Sequence, residues 1–496
     1  MAERGGETAC FGNQIFMGSW PDPYHYQVLT LFFLTEAASY DHVLLAGQGP
    51  GGFIHELLAH DLRTLVYVAL DPAETSMMMN HLNPTMSRDF EDSRLTIVHD
   101  DPRQYLARDS NRRFDLIIIN APDPDNARIN RLYTLEFFQA ARKRLTPRGI
   151  LVTSISGAEN YWSRELLSYG LCLYRTIRTV FPEVIITPGD RHYIFAAAGS
   201  GLLTDNPGIL AERYRRRGFQ SPYLTPRSFP LFFPPTGSQY LKARLAEQNA
   251  SPGRLNTDST PLSYFLHLVW WEEMTGRPWT RAIIQTALQV ETWGPYVLAL
   301  FCLPSLLLLI RPRQARVSAW TMMMTGGVTM ALQILLIYLF QNKHGVVYQQ
   351  IGLLSALYMG GLAMGGLIGV RIIRWPRFSR ALPPLLELLL AILAALVVGM
   401  AQGWLSDLIL PLVAATGLIS GLEFSLLFFL YLQDRSRPRA TQALARLESA
   451  DHGGALVGAL ATGLVLAPII GLAVSAAILA GLKLLNGLVL LRPMDT

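Results

Sequence analysis

The residues best placed for chemistry follow a buried strand near the middle of the first half of the chain. The stretch FDLIIINAPDPDNARINRLYT, residues 114–134, runs from apolar residues into a polar turn. Open α/β sheets place their active sites at the carboxyl ends of such strands. Here the strand tip is Asn120, and the first carboxylate is Asp123. Two interpretations follow: an enzyme that uses Asp123 as its base, or a site that has lost its base.

A glycine-rich turn, GQGPGG, lies further upstream between a predicted strand and a predicted helix. Gly47, Gly49 and Gly51 expose backbone N–H groups and suit close approach of a cofactor. The acid that would bind ribose hydroxyls is expected at the end of the next strand, where the sequence has Ala69 and then Asp71. Asp71 either replaces that acid or caps the following helix, and the sequence leaves both readings open.

These residues need a sheet to hold them together. Strand and helix patterns alternate through residues 41–200 with short loops, which predicts a mostly parallel, doubly wound, Rossmann-like domain. Residues 201–290 form a C-terminal extension and linker in this interpretation, and residues 1–40 are assigned to a truncated N-terminal hairpin region, which only the family resemblance given below implies. The fold class is therefore α/β, followed by an all-α membrane domain.

The membrane domain is predicted at residues 291–492, where apolar runs long enough to cross a bilayer follow one another. We expect about seven spans, at 293–310, 318–340, 348–370, 382–401, 406–430, 453–470 and 472–491. The chain of 496 residues has a net charge of +5, much of it arginine near these spans, which favours a lipid bilayer as partner and argues against nucleic acid. The three cysteines have no metal-ligand spacing, so no metal site is expected.

Polar residues within the spans are expected to have a structural or functional role, because burying them in lipid costs free energy. Glu423 and Lys483 are predicted to form a buried pair, either as a structural tie or as an ion relay. Gly360, Gly361, Gly365 and Gly366 in the third span are expected to let helices pack closely.

The order of motifs resembles a spermidine synthase, the aminopropyltransferase branch of the fold used by S-adenosylmethionine-dependent methyltransferases. It is more similar still to bacterial membrane proteins in which such a domain is fused to transporter-like helices. The segments that carry the resemblance are PDPYHYQ, GQGPGG, VALDP, HDDPRQYL, NAPDPDNARINRLYT, ENYWSRELLS, PGDRHYIFAA, LNTDSTPLSYF, YQQIGLLSALYMGGLAMGG and ARLESADHGGALVGALATGLVLAPIIGL.

The resemblance implies a reaction in which an amine attacks the carbon beside the sulfonium of decarboxylated S-adenosylmethionine. Carboxylates would hold the charged amine, and one would accept a proton. Transferred to this sequence, the pattern assigns the adenine contact to Asp101 and substrate contacts to Tyr24, His25 and Tyr133. Asp123 remains as the candidate base.

The sequence departs from that pattern at four positions where the resemblance implies a carboxylate: Pro50 for amine binding, Ala69 for ribose, Asn120 for proton acceptance, and Tyr26 after the Tyr-His pair. An asparagine accepts a hydrogen bond but no proton. We therefore expect weak or lost catalysis and a binding or assembly role. Two alternatives stay open: an active aminopropyltransferase that uses decarboxylated S-adenosylmethionine or S-adenosylmethionine, and transporter-like handling of a polyamine or cation.

Arginines set the predicted orientation, since basic connections favour the cytoplasmic side. They concentrate in alternate connections between spans, whereas the other connections contain only Lys343. With seven spans in a bacterial inner membrane, this pattern places the globular domain outside the cytoplasm. The N-terminal residues show no secretory signal. Two explanations follow: either a helix has been miscounted, or an upstream membrane subunit or a longer or split protein supplies export, and we favour the second. The arginines concerned are Arg311, Arg313, Arg316, Arg371, Arg374, Arg377, Arg380, Arg435, Arg437, Arg439, Arg446 and Arg492.

Overall fold

The computed structural model divides the chain into two compact units. One unit contains Met1–Thr257 and Leu262–Trp271, and the other contains Asp258–Pro261 and Glu272–Thr496. The residues that the structure describes are 2–4, 7–12, 15–47, 51–82, 84–108, 110–158, 162–249, 253–310, 312–345, 348–404, 406–433 and 439–492. Gly49, Pro50, Arg311, Arg435 and Arg437 lie outside these ranges.

The first unit begins with a small antiparallel sheet within the region predicted as a shortened hairpin. Its three strands are consecutive along the chain and pair in the order β1-β2-β3. Trp20, the last residue of the sheet, is buried with Cys10, Met78 and Met86, so this sheet has a small core of its own. The strands are β1 (Ala2–Arg4), β2 (Glu7–Gly12) and β3 (Ile15–Trp20).

The second sheet has seven strands, in the order β6-β5-β4-β7-β8-β10-β9. The five strands from β6 to β8 are parallel, and β10 is antiparallel to both β8 and β9. This confirms the predicted Rossmann-like fold and adds an antiparallel edge. The strands are β4 (His42–Gly47), β5 (Thr64–Ala69), β6 (Leu95–His99), β7 (Phe114–Asn120), β8 (Leu145–Ala158), β9 (Glu183–Ile186) and β10 (Gly189–Ala197).

Helices cover the sheet because its central strands are apolar on both faces, as expected for parallel strands. Residues 43–46 of β4 and 116–119 of β7 are all buried. The helices of this unit are α1 (Pro23–Glu36), α2 (Gly51–Leu58), α3 (Pro72–Met79), α4 (Pro84–Asp89), α5 (Pro102–Ala107), α6 (Ala127–Asn130), α7 (Leu135–Lys143), α8 (Arg164–Val180), α9 (Pro207–Arg216), α10 (Phe229–Phe232), α11 (Pro235–Asn249) and the first part of α12 (Leu262–Thr275).

The second unit is helical, and its described residues contain seven helices long and apolar enough to cross a membrane, one of which continues into a π-helix, in agreement with the predicted number. A 3₁₀ turn at Ser406–Leu408 precedes one of them, and α19 continues as a π-helix over Thr462–Ile470. The helices are α13 (Pro278–Leu288), α14 (Val290–Ile310), α15 (Gln314–His344), α16 (Tyr348–Ile372), α17 (Pro376–Ala401), α18 (Ile409–Leu432), α19 (Ala440–Ala461) and α20 (Leu472–Leu490).

Glycines let α16 and α18 pack backbone to backbone. A side chain at Gly361 or Gly365 would overlap the backbone of α18, and one at Gly421 would overlap that of α16. Gly360 and Gly366 face open space instead. Two of the four glycines predicted for packing therefore leave room for the backbone of α18, whereas a side chain at either of the other two would meet no neighbour.

Candidate functional site

The glycine-rich turn starts where β4 meets β7. Gly47 has a φ of 126°, which favours glycine. It pairs with Asn120 across the two strands, and a side chain on it would overlap the Asn120 carbonyl. Residues 48–50 are not described, and α2 starts at Gly51. The structure thus requires glycine at residue 47 for packing, and cofactor contact by this turn stays a prediction.

Asn120 lies at the carboxyl end of β7 and lines a small cleft that opens to solvent. The cleft has an apolar part formed by α1, α2, β7 and β8, and a polar part that includes Asn120 itself. The apolar residues are Leu29, Phe33, Phe53, Ile118, Ile119 and Val152, and the polar ones are His25, Asn120, Thr153, Ser154, Arg191 and Tyr193. A small organic molecule with one polar end would match this division.

The charged groups of the cleft are basic. Arg191 on β10 donates from Nε to the Ser154 hydroxyl oxygen over 2.9 Å. Burial lowers the pKa of His25, Asp22 raises it, and the charge of Arg191 lowers it again. Among the described residues that line the cleft, none carries a carboxylate. The arrangement therefore offers hydrogen-bond donors and positive charge, but no proton acceptor of carboxylate type.

Asp123, the candidate base, is engaged elsewhere. Its carboxylate accepts hydrogen bonds from the Ser156 backbone N–H at 2.7 Å and from the Ser156 hydroxyl at 2.5 Å. The Tyr169 hydroxyl lies 3.4 Å from the same carboxylate. These contacts fasten the turn after β7 to β8 and α8.

Tyr133 lies beneath the same turn. It is completely buried, and its hydroxyl is 3.2 Å from the Ala121 carbonyl oxygen, 3.0 Å from that of Pro122 and 3.2 Å from that of Ser154. Burial raises the pKa of the Tyr133 hydroxyl above its ordinary value, so it stays protonated and donates to these carbonyls. The structure places Tyr133 in support of the turn and away from the cleft lining.

The two candidate cofactor acids both cap helices. Asp71 is exposed at the start of α3 and accepts from the Ala73 N–H at 2.8 Å. Asp101 begins α5, accepts from the Arg103 N–H at 2.9 Å, and forms a buried ion pair with Arg131. Of the two readings left open for Asp71, capping is present in the structure. Asp101 would have to share its carboxylate with Arg131 to contact an adenine.

The Tyr-His pair at the start of α1 separates in the structure. His25 lines the cleft, whereas Tyr24 is 76% exposed and packs edge-on against Tyr223, with ring centroids 4.5 Å apart. Tyr26 is buried, and a side chain at Gly52 would overlap its ring. Burial raises the pKa of Tyr26 to about 12. Tyr26 therefore fills space where the resemblance implies a carboxylate.

Arg191 and Ser154 were missed by sequence reasoning. The signal for them was the alternation in PGDRHYIFAA, which places Arg191 and Tyr193 on one face of β10. Ser154 pairs with Tyr193 across the two strands, so the position of Arg191 depends on the antiparallel edge. Because the sequence analysis predicted no strand after β8, it gave no neighbour for either residue.

The second unit holds a separate polar cluster. Glu423 on α18 and Lys483 on α20 are both completely buried, with Lys483 Nζ 3.9 Å from Glu423 Oε2. The nearer partner of Lys483 is Glu387 on α17, at 2.9 Å. The predicted pair is therefore part of a larger group. Within the described residues, no set of three or more His, Cys, Asp or Glu is arranged to hold a metal ion.

Comparisons with known proteins find similarity within the first unit. Residues 23–186 match the family model described as spermine/spermidine synthase domain. The polyamine aminopropyltransferase of Korarchaeum cryptofilum is 28% identical over 266 residues, which cover 51% of this chain and 78% of that protein. Polyamine aminopropyltransferase 2 of Pseudomonas aeruginosa is 33% identical over 144 residues, covering 29% of this chain and 40% of that protein.

Two further comparisons are of similar kind. Polyamine aminopropyltransferase 1 of Streptomyces coelicolor is 32% identical over 149 residues, covering 29% of this chain and 28% of that protein. A crystal structure of spermidine synthase in complex with the transition state analogue AdoDATO aligns with 48% of this chain and 80% of that chain, with 23% identity and a TM-score of 0.38. The chain thus spans less than half of the two bacterial relatives.

The parallel core with an antiparallel edge, and a cleft at the strand ends, define a Rossmann-like α/β domain. More particularly, residues 23–186 of this domain match the spermine/spermidine synthase domain model, in agreement with the resemblance in the sequence. The similarity to membrane-fused members stays a prediction.

Proposed function

We propose that this protein is a membrane-anchored spermidine synthase-type domain in which aminopropyl transfer is weak or lost, and that it acts as a binding or assembly module. The observation that carries the proposal is Asn120 at the tip of β7, lining the cleft. An amide cannot take the proton that an attacking amine must lose. Loss of a general base lowers a rate by about 10²–10⁴-fold.

The charge of the cleft supports the same conclusion. A diamine reaches the site as a dication, and like charges at short range repel. Arg191 supplies a positive charge in the cleft, and the nearby acid Asp22 is at the helix cap outside the lining. Such a site favours neutral or anionic groups over a polyamine.

The alternative of an active aminopropyltransferase rests on Asp123. In that case Asp123 must release two hydrogen bonds from Ser156 before it can accept a proton. Since these bonds join the turn to β8, the movement would also loosen the turn that carries Asn120. The contacts favour a structural role for Asp123.

The deciding experiment measures turnover of decarboxylated S-adenosylmethionine and putrescine by the full chain in detergent. We expect the Asn120→Asp variant to exceed the parent by about 10²-fold, because it restores a proton acceptor at the strand tip. The matched control is Asn120→Leu, which removes the amide without adding a base and is expected to resemble the parent. Parent turnover that equals that of Asn120→Asp and disappears in Asp123→Asn would establish the active-enzyme alternative.

The proposal includes a location in a bacterial inner membrane, with the globular unit outside the cytoplasm. A single cysteine at Ser200, which is exposed, tests this in a chain whose native cysteines are replaced. We expect a membrane-impermeant maleimide to label Ser200→Cys in intact spheroplasts and not Arg492→Cys, because the basic connections face the cytoplasm. The reverse pattern would place the domain inside and remove the need for an export partner.

A further inference from the structure

Five polar side chains from four helices meet inside the helical unit, and we name this group the polar cluster. Lys483 Nζ lies 2.9 Å from Glu387 Oε1 and 2.6 Å from the Thr325 hydroxyl. Thr325 in turn donates to Glu423 Oε2 at 2.9 Å. The Asn486 amide donates to Glu387 Oε1 at 3.0 Å. All five side chains have no exposed surface.

The charges of the polar cluster do not balance. Two carboxyl groups, Glu387 and Glu423, act on each other and share one ammonium group, that of Lys483. An uncompensated charge is costly in a buried site between membrane helices, where water cannot screen it. One monovalent cation or one proton restores neutrality.

The hydrogen bonds show the same deficit. Three acceptor atoms of the cluster have no donor among the described residues: Glu387 Oε2, Glu423 Oε1 and Asn486 Oδ1. Buried acceptors normally have partners. A proton on one carboxyl group removes the excess negative charge and also supplies a hydrogen-bond donor within the cluster.

We propose that the polar cluster is a binding site for one exchangeable proton, held between Glu387 and Glu423 and fixed by Lys483. This goes beyond the function proposed for the globular unit and does not depend on whether that unit is catalytic. In this proposal the helical unit binds and exchanges a proton, in addition to anchoring the protein in the membrane.

Hydroxyl groups continue from the cluster towards solvent. Thr329 lies one turn along α15 from Thr325, and the Tyr358 hydroxyl donates to it at 3.1 Å. The charge of Asp451 on α19 acts on Tyr358, and that of Lys483 acts on Asp451. The Asp451 side chain is 25% exposed and borders His452, which is 82% exposed. We propose that the proton exchanges with the surface along these groups.

The test is infrared spectroscopy of the full chain in phosphatidylcholine–phosphatidylglycerol vesicles, in sodium-free buffer near neutral pH. We expect one protonated, buried carboxyl group per chain, whose C=O band shifts after transfer to D₂O. Both Glu387→Gln and Glu423→Gln should lose the band, because Lys483 then neutralises the one remaining carboxylate. Glu448→Gln, which removes an exposed carboxylate from α19, is the matched control and should keep it.

Two further variants sharpen the test. Lys483→Met leaves both acids without a cation, so the band should grow about two-fold where this variant folds. Tyr358→Phe should keep the band and slow its shift in D₂O, which a purely structural role of the hydroxyl would not produce. If Lys483→Met does not fold, the two glutamine variants decide alone.

Three results would overturn the proposal. A band that persists in both glutamine variants would place the proton elsewhere. A band that never exchanges with D₂O would make the cluster a fixed structural tie. A band that disappears when millimolar NaCl is added to the parent would identify a sodium site in place of a proton site.

Discussion

The cleft of the globular unit and the polar cluster of the helical unit differ in the sign of their excess charge. The cleft contains the positive charge of Arg191 and no carboxylate among its described lining residues. The polar cluster contains Glu387 and Glu423 with only Lys483 to balance them. In the globular unit, the carboxylates that the family resemblance implies are replaced by other residues. In the helical unit, two buried carboxyl groups are present that are not needed to pack the helices.

Access to solvent explains why both arrangements are tolerated. The cleft opens to water, so ions and solvent screen its excess positive charge. The polar cluster has no exposed surface, so its excess negative charge needs a bound partner. The excess charge of the open cleft determines which ligands it can bind. The excess charge of the buried cluster instead indicates that a neutralising proton or cation is already bound there. The predictions below test this contrast.

The largest effect is expected from Lys483→Met. Removing one partner of a buried ion pair destabilises a protein by about 3–5 kcal/mol. We expect a loss of this size in denaturant unfolding of the full chain in detergent at neutral pH. Lys343→Met, which breaks an exposed pair with Asp407, is the control and should cost about 0–1 kcal/mol. Equal losses in the two variants would show that burial does not distinguish these pairs.

A second effect concerns pH in the globular unit. Burial lowers the pKa of His192 to about 4, against an ordinary value of 6.5. Between these two pH values, His192 is protonated in the unfolded chain but not in the folded chain. The free energy of unfolding therefore falls as the pH drops from about 6.5 to about 4. The full difference is about 3 kcal/mol. The measurement is the unfolding midpoint against pH, followed by fluorescence of Trp162, whose ring centroid lies 4.5 Å from that of His192.

His192→Gln is the test variant for this pH dependence. It removes the titrating ring, so its stability should change less over the same pH range. A His192→Gln chain that loses stability as steeply as the parent between pH 6.5 and 4 would assign the acid sensitivity to other groups.

A third effect compares two neighbouring glycines in the bundle. Gly365→Ala forces a methyl group into the backbone of α18, and overpacking of this kind costs about 1–3 kcal/mol. Gly366→Ala meets nothing within 4 Å and should be neutral or stabilising, since alanine favours helix. Unfolding in detergent, with both variants side by side, measures the difference. Similar losses for both would mean that the two helices do not pack through Gly365.

The sequence predicted the large features because hydrophobic pattern and strand–helix alternation determine them. The parallel strands, the Asn120 strand tip and the seven apolar helices follow from local order along the chain. The missed features depend on contacts between distant residues. Arg191 joins the cleft only because β10 turns back antiparallel to β8, and Glu387 joins Lys483 only because α17 packs against α20.

Sequence reasoning was weakest where one residue type has two ordinary roles. An aspartate after a strand can bind a ligand or cap a helix, and the local sequence is the same in both cases. Asp71 and Asp101 both cap helices in the structure, and Asp101 also forms an ion pair with Arg131 from a segment about thirty residues away. Capping by itself does not exclude ligand binding, which needs a separate measurement.

The smallest effect, Asp71→Ala, separates those two roles. Loss of an exposed N-cap costs about 1 kcal/mol, because the Ala73 N–H loses its partner. Asp71→Ser is the matched variant, since serine also caps helices but carries no charge. We expect Asp71→Ser to keep the stability of the parent and both variants to keep its affinity for S-adenosylmethionine in isothermal titration. If both variants lose affinity while Asp71→Ser stays stable, the carboxylate binds ligand as well as capping α3. That result would also give the globular unit an adenosyl-binding acid that its basic cleft does not provide.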